Sequence, residues 1–282
     1  GDHHQLPPVV KSAAAEEGGL SISLFQRLLE AGVPSALLQV QYRAHPALAA
    51  FPNAQFYSGQ LANGVAAADR PLPAGLPWPQ SNCPIMFINV EGREEQRSGG
   101  SWMNNNEVQQ CAQVVEALLA AGNPVQSIGV ITPYAAQVRA LNDCIQPLAR
   151  RYASAHAPHA AHSDDQWLNG GGATAELEVK SVDGFQGREK EVIVFSAVRC
   201  NVNGQVGFLK DWRRLNVAIT RAKRGLVIIG HAPTLAAGDK YWAALVAHAQ
   251  AQGCMLHSAD LNLNRNLPGQ GVKRSQFTWN RQ

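Results

Sequence analysis

Six short runs that are apolar on both faces, residues 36–40, 85–90, 127–131, 177–182, 192–198 and 226–229, alternate along the chain with stretches of helical periodicity. A strand that is apolar on both sides must be covered on both sides. A parallel sheet with crossover helices does this, whereas a one-faced antiparallel sheet does not. The expected fold is therefore α/β: a doubly wound, mostly parallel sheet. Helices are expected over 21–31, 46–57, 104–121, 134–146, 211–222 and 239–251, several with a polar cap before them and two closed by Gly32 and Gly122.

Two stretches interrupt the alternation. Between Pro71 and Pro84, five prolines surround Trp78, and proline blocks both helix and central strand, so an ordered surface crossing is expected. Residues 151–175 are rich in Ala, His and Gly and read as an insertion. Its His156, His159 and His162 lack the Cys or carboxylate pattern of a full metal set, so a polar insertion is favoured over a metal site. The Asn-rich stretch 257–282 reads as a tail.

Composition narrows the function. Lys plus Arg number 24 against 21 Asp plus Glu, a balance of +3 that suits a polyanion partner without demanding one. No apolar run approaches the roughly 18 residues of a membrane span, so a soluble protein is expected. The five cysteines lie far apart with no Cys-x-x-Cys pair, which points away from a disulfide framework and toward a reducing compartment such as the cytoplasm. The chain opens on Gly1 without an initiator Met or targeting pattern and reads as an interior piece of something longer.

Four clusters carry candidate chemistry. GDHHQLPP (1–8) sets an amide, Gln5, before a proline pair, as at the C-terminal edge of a sheet where ligands bind; a plain polar turn reads equally well. QYRAHP (41–46) puts an aromatic beside an arginine, a pairing that can stack on a base and hold a phosphate, or else cover a helix start. VDGFQGRE (182–189) joins two glycines to the acceptors Asp183 and Glu189, in a ligand loop or a simple connection. In RRLNVAITRAKR (213–224), Arg214 and Arg221 are seven apart, so one helical face is expected to aim several arginines at a single anion site.

In their order, GDHHQLPP, QYRAHP, ITPYAAQ, VKSVDGFQGREKEVIVFSAVR and RRLNVAITRAK resemble the up-frameshift-like branch of helicase superfamily 1, over residues 1 to about 256. Two departures stand out. Ala44 occupies a position where that branch usually has methionine, and a proline of Leu6-Pro7-Pro8 stands where it typically has glycine.

The resemblance implies a RecA-like P-loop NTPase fold, with 1–38 the remnant of a first lobe and 39–256 the second lobe. It implies that Gln5 senses the γ-phosphate and attacking water, and that Tyr42 stacks on adenine. Arg43 and Arg221 would contact the γ-phosphate as arginine fingers, and Glu189 would accept from the ribose. Thr132, Pro133, Tyr134, Gln137, Lys180, Ser181 and Val182 match positions near the nucleic-acid path. The implied activity is that of an ATP-dependent helicase moving 5′ to 3′ on single-stranded RNA in RNA surveillance, using ATP and Mg²⁺, with surveillance partners bound through regions outside this chain. A DNA-acting relative and a non-catalytic nucleic-acid or partner-binding module stay open. A Rossmann dehydrogenase is disfavoured, because no Gly-x-Gly-x-x-Gly turn follows a strand.

The chain contains no Gly-rich phosphate loop with Lys and Ser/Thr, and no Asp-Glu dipeptide to hold magnesium. The ligands for Mg²⁺ are thus expected in a first lobe. The 282 residues alone should show no RNA-stimulated phosphate release in a steady-state ATPase assay, and measurable turnover would contradict this division of labour.

Overall fold

The computed structural model describes residues 1–155, 176–261 and 263. In chain order, α1 (Ala13–Glu17) and α2 (Leu24–Glu30) precede β1 (Val40–Gln41), α3 (Pro46–Phe56) and β2 (Ala62–Asn63). After the proline-rich crossing come β3 (Ile85–Asn89), the hairpin β4 (Glu94–Gln96) and β5 (Trp102–Asn104), and α4 (Asn105–Ala120). The rest is β6 (Ile128–Thr132), α5 (Ala135–Ala155), β7 (Glu178–Ser181), β8 (Lys190–Ser196), α6 (Trp212–Ile219), β9 (Ala222–Gly230), α7 (Ala232–Gly238), α8 (Lys240–Ala251) and β10 (Met255–His257).

The central sheet is parallel throughout, in the order β10-β3-β9-β8-β6-β7. Alternate residues of its strands feed two separate cores. Phe87, Phe195 and Ile228 face one layer with Trp242 of α8 and Leu215 of α6. Met86, Val194 and Val227 face the other, with Leu118 of α4 and Leu141 of α5. This is the doubly wound α/β arrangement expected from the sequence and of a RecA-like lobe.

Several expectations change in detail. Residues 36–40 do not enter the sheet: Leu38 is 88% exposed, and only Val40–Gln41 pair, with Ala62–Asn63 in a separate two-stranded ladder. The sixth place belongs to β10, whose three residues register against Phe87–Asn89. That run is too short to stand out in sequence, and it ends inside the stretch read as tail. Helix α5 runs through Pro147 to Ala155 because Ile145 and Ala149, on either side of the proline, stay buried against the core. Residues 151–155 are therefore helix, and 156–175 lie outside the described residues with the three histidines. The crossing is ordered as expected, the Trp78 indole N–H donating to the Pro73 carbonyl at 2.8 Å, though Leu76 inserts into the core.

A buried polar network closes the C-terminal edge of the sheet. Asn104 caps α4, accepting from the Asn106 and Glu107 amides. The Gln137 amide donates to the Asn104 carbonyl (3.2 Å) and to Ser196 Oγ (2.9 Å), and the Ser196 hydroxyl donates to Glu107 Oε2 at 2.6 Å. The Val198 N–H reaches the same oxygen at 2.8 Å, and Val198 itself holds φ +74°, a strained conformation for a β-branched residue.

Burial pushes the Glu107 carboxyl up from 4.5 to about 8, against the opposing pull of these donors. The folded protein therefore holds the proton that the unfolded chain releases near pH 4.5, and the associated stability is lost as pH rises toward 8. In Glu107→Gln the melting temperature relative to the parent should climb between pH 5 and pH 8 and level off above; a pH-independent difference would contradict the assignment.

Candidate functional site

A cleft of about 610 Å³ opens at the N-terminal ends of β8 and β9, where Glu189 and Arg221 immediately precede the two strands. Gln5, Tyr42 and Arg43 join them in its polar lining, with Gln41, Asn53, Tyr57 and Thr220, and Leu48, Pro52 and Ile219 form an apolar wall.

Arg43 is placed by a tight local scaffold. The Gln41 side chain accepts from the Arg43 and Ala44 amides (3.0 and 2.8 Å) and donates to the Ala44 carbonyl. Arg70 donates to the carbonyls of Tyr42 and Arg43 at 3.0 and 2.9 Å. The turn is stapled to β9 by the His45 N–H on the Lys223 carbonyl, and α3 then starts with Pro46 at its first turn, where a missing N–H costs nothing. The Arg43 guanidinium pairs with Glu189 and donates to the Thr220 carbonyl. Glu189 also accepts from Lys223 at 2.9 Å, and the Lys223 and Arg43 hydrogen bonds hold its carboxyl below the usual range.

Arg221 follows the end of α6. Thr220 terminates that helix by turning its hydroxyl onto the Asn216 carbonyl (2.6 Å), and Arg221 Nε donates to the Val217 carbonyl at 2.9 Å, a cation at a helix C-terminus. Its other donors reach Thr220 Oγ1 (2.8 Å), Gln5 Oε1 (3.4 Å) and the Arg188 carbonyl (3.4 Å). The residue is 3% exposed and, among the described residues, has no carboxylate partner. Burial, followed by the charge of Arg43, pushes the guanidinium down to about 10, which leaves it positive at neutral pH. A desolvated cation whose hydrogen bonds all go to neutral oxygens, beside a second arginine and with Glu189 and Asp2 acting on it only at longer range, has donors suited to an anionic ligand.

The profile of the AAA domain family matches residues 20–233. The chain belongs to this family. It is 39% identical over 268 residues to a Drosophila melanogaster protein named regulator of nonsense transcripts 1 homolog, covering 95% of this chain and 21% of that protein. It is 40% identical over 265 residues to the Saccharomyces cerevisiae ATP-dependent helicase NAM7, covering 93% of this chain and 25% of that one. The chain thus spans between a fifth and a quarter of these relatives.

Within this AAA-domain chain all five residues expected at the nucleotide, Gln5, Tyr42, Arg43, Glu189 and Arg221, line one cleft. The arginine face expected along 213–224 does not form. Arg213 turns to Asp211 (3.0 Å) and Arg214 to Asp183 (3.2 Å), because α6 stops before Arg221 and breaks the seven-residue spacing. Gln5 meets Arg221 at the N-terminal edge of this sheet.

The residues expected near nucleic acid cluster at the C-terminal ends of β6 and β7, where Thr132 registers with Ser181. Thr132, Tyr134, Gln137 and Val182 are buried there, Tyr134 hydrogen-bonding the Val206 carbonyl and Gln137 serving the polar network. Only Pro133, Lys180 and Ser181 of this group are partly exposed. Asp2, Tyr57, Asn216 and Lys223 also shape the site: Asp2, Asn216 and Lys223 lie inside the GDHHQLPP and RRLNVAITRAK motifs without being singled out by them, and Tyr57 lies outside every motif, its hydroxyl meeting Asp2 and Asn216 from far along the chain.

The Tyr42 ring is 65% exposed and lies against Gly64, where an added Cβ would collide with it. Gly64→Ala should therefore displace the ring with a melting temperature almost unchanged, while weakening any ligand that stacks on Tyr42, as read by titration with a fluorescent adenine nucleotide.

Proposed function

We propose that this chain supplies the tyrosine- and arginine-bearing half of an ATP site in an ATP-dependent 5′-3′ helicase of the nonsense-mediated decay type, acting on single-stranded RNA in the cytoplasm. In this reading residues 1–38 belong to a first RecA-like lobe and 39–256 to the second. The observation that carries it is Arg221, a buried guanidinium without a carboxylate, adjoining Arg43 in a cleft that also holds the exposed Tyr42 ring.

A nucleoside triphosphate fits these residues. Tyr42 offers a flat face to a base, and the two guanidiniums offer bidentate donors to phosphate oxygens. Charge that spreads over those oxygens during phosphoryl transfer meets two fixed cations, so little reorganisation is needed. Gln5, with its amide oxygen turned to Arg221, is positioned to orient a water. Glu189 is an acceptor for a ribose hydroxyl once Arg43 turns to phosphate; until then Arg43 and Lys223 occupy it. In this reading the ligands for magnesium lie in the first lobe; among the described residues no group of three or more His, Cys, Asp and Glu is arranged to hold a metal. The names of the relatives, the free cysteines and the partly exposed Lys180 and Ser181 support the RNA and cytoplasmic parts of the reading.

The test is equilibrium binding of ATP, ADP and adenosine to the 282 residues. Tyr42→Ala should weaken all three by about tenfold, in line with the roughly 1–3 kcal/mol of base stacking. Arg43→Ala and Arg221→Met should erase the preference for ATP over adenosine. In the protein joined to a phosphate-loop lobe, either arginine variant should slow turnover about a thousandfold. Equal affinity for ATP and adenosine in the parent chain would overturn the proposal, and matched RNA and DNA strands added to the joined protein would show which one stimulates it.

A further inference from the structure

The Tyr57 hydroxyl is the meeting point of three segments that are far apart in sequence. Tyr57 caps the C-terminus of α3, its N–H on the Asn53 carbonyl. Its hydroxyl donates to Asp2 Oδ2 at 2.8 Å and accepts from the Asn216 amide of α6 at 3.0 Å. The same Asp2 oxygen accepts from Gln5 Nε2 at 2.8 Å, and the other Asp2 oxygen accepts from the His4 N–H at 2.9 Å. Asn216 also donates to the His4 carbonyl at 2.8 Å. With its nitrogen committed to Asp2, the Gln5 amide has one orientation, and its oxygen faces Arg221.

Both arginines of the cleft ride on the elements that carry this latch. Arg43 lies two residues before the His45 cap of α3, and Tyr57 lies just past the other end of that eleven-residue helix, about 16 Å away at 1.5 Å per residue. Arg221 is tied to α6 through the Val217 carbonyl, and Asn216 is the residue before Val217. A shift of either helix that moves an arginine must therefore also move a partner of Tyr57 or Tyr57 itself.

We propose that Tyr57, with Asn216, is a positioning residue that sets the Gln5 amide through Asp2 and links it to the placement of Arg43 and Arg221. Gln5 then points its oxygen into the cleft only while α3 and α6, whose ends place the two arginines, are in register with residues 1–5. This rests on the nucleotide reading of the cleft for its catalytic consequence, but not for the latch itself. Burial pushes the phenol up to about 12, so it stays a donor across the working pH range.

Two measurements separate the latch from that reading. In the 282-residue chain, Tyr57→Phe should raise hydrogen exchange at the His4 and Gln5 amides by about tenfold while strands β8 and β9 keep their protection. Unchanged exchange at residues 4 and 5 would overturn the latch whatever the enzyme does. In the protein joined to a phosphate-loop lobe, Tyr57→Phe should lower kcat about tenfold with KM for ATP within about twofold, and Tyr57→Phe/Asp2→Ala should be no slower than Asp2→Ala alone. Multiplicative losses in the double variant, or a loss confined to KM, would overturn the positioning role. Full turnover in Arg221→Met would instead overturn the nucleotide reading.

Discussion

The sheet is apolar on both faces, and this decides where chemistry can occur. Its interior strand residues alternate between the Phe87 and Met86 layers, leaving no polar position along their length. Polar and charged groups are confined to the strand ends. At the C-terminal edge they are mostly spent on one another, in the Asn104, Glu107, Gln137 and Ser196 network. At the N-terminal edge of β8 and β9 they are left facing a cleft.

The two arginines of that cleft differ in a way that matters for binding an anion. Arg43 is partly exposed and already paired with Glu189, so an incoming phosphate must compete with a carboxylate that Lys223 helps to hold. Arg221 is buried and hydrogen-bonded only to neutral oxygens, with the carboxylates of Glu189 and Asp2 acting on it from beyond ion-pair distance. A buried charge lacking a counter-ion is costly to the fold, and its persistence at a cleft is more readily explained by ligand binding than by stability. The lowered guanidinium pKa records that cost, and an anion arriving beside it would relieve it.

What the sequence made legible follows the range of the forces involved. Five of the sheet's six strands follow from apolar runs, because burial on both faces writes itself into consecutive residues. β10 does not, since three residues such as Met255–His257 become a strand only by pairing with β3. The five cleft residues were readable through motif order. Their company was not: Tyr57 and Asp2 are 55 positions apart, and nothing local to either announces the other. Helical spacing misled at Arg214 and Arg221, because the helix ends at Ile219. Likewise, burial of Thr132 and Gln137 is a property of the surrounding helices and not of their own polar character.

The connection between β7 and β8 leads from one edge of the sheet to the other in residues 182–189, a stretch that includes the turn Asp183–Phe185. Returning from the level of Thr132 to below that of Ile128 requires about 20 Å, judged from the strand rise. Extended, this stretch would span about 30 Å, and the surplus is taken up in two turns, closed by the Phe185 N–H on the Val182 carbonyl and the Arg188 N–H on the Phe185 carbonyl. The segment is folded and not taut, and it is pinned along its length: Phe185 is buried in the core, Arg214 holds Asp183, and Arg188 pairs with Glu178. These pins make it a spacer of fixed shape, so the stretch that leaves β7 at Ser181 also sets where Glu189, the carboxylate that holds Arg43, stands.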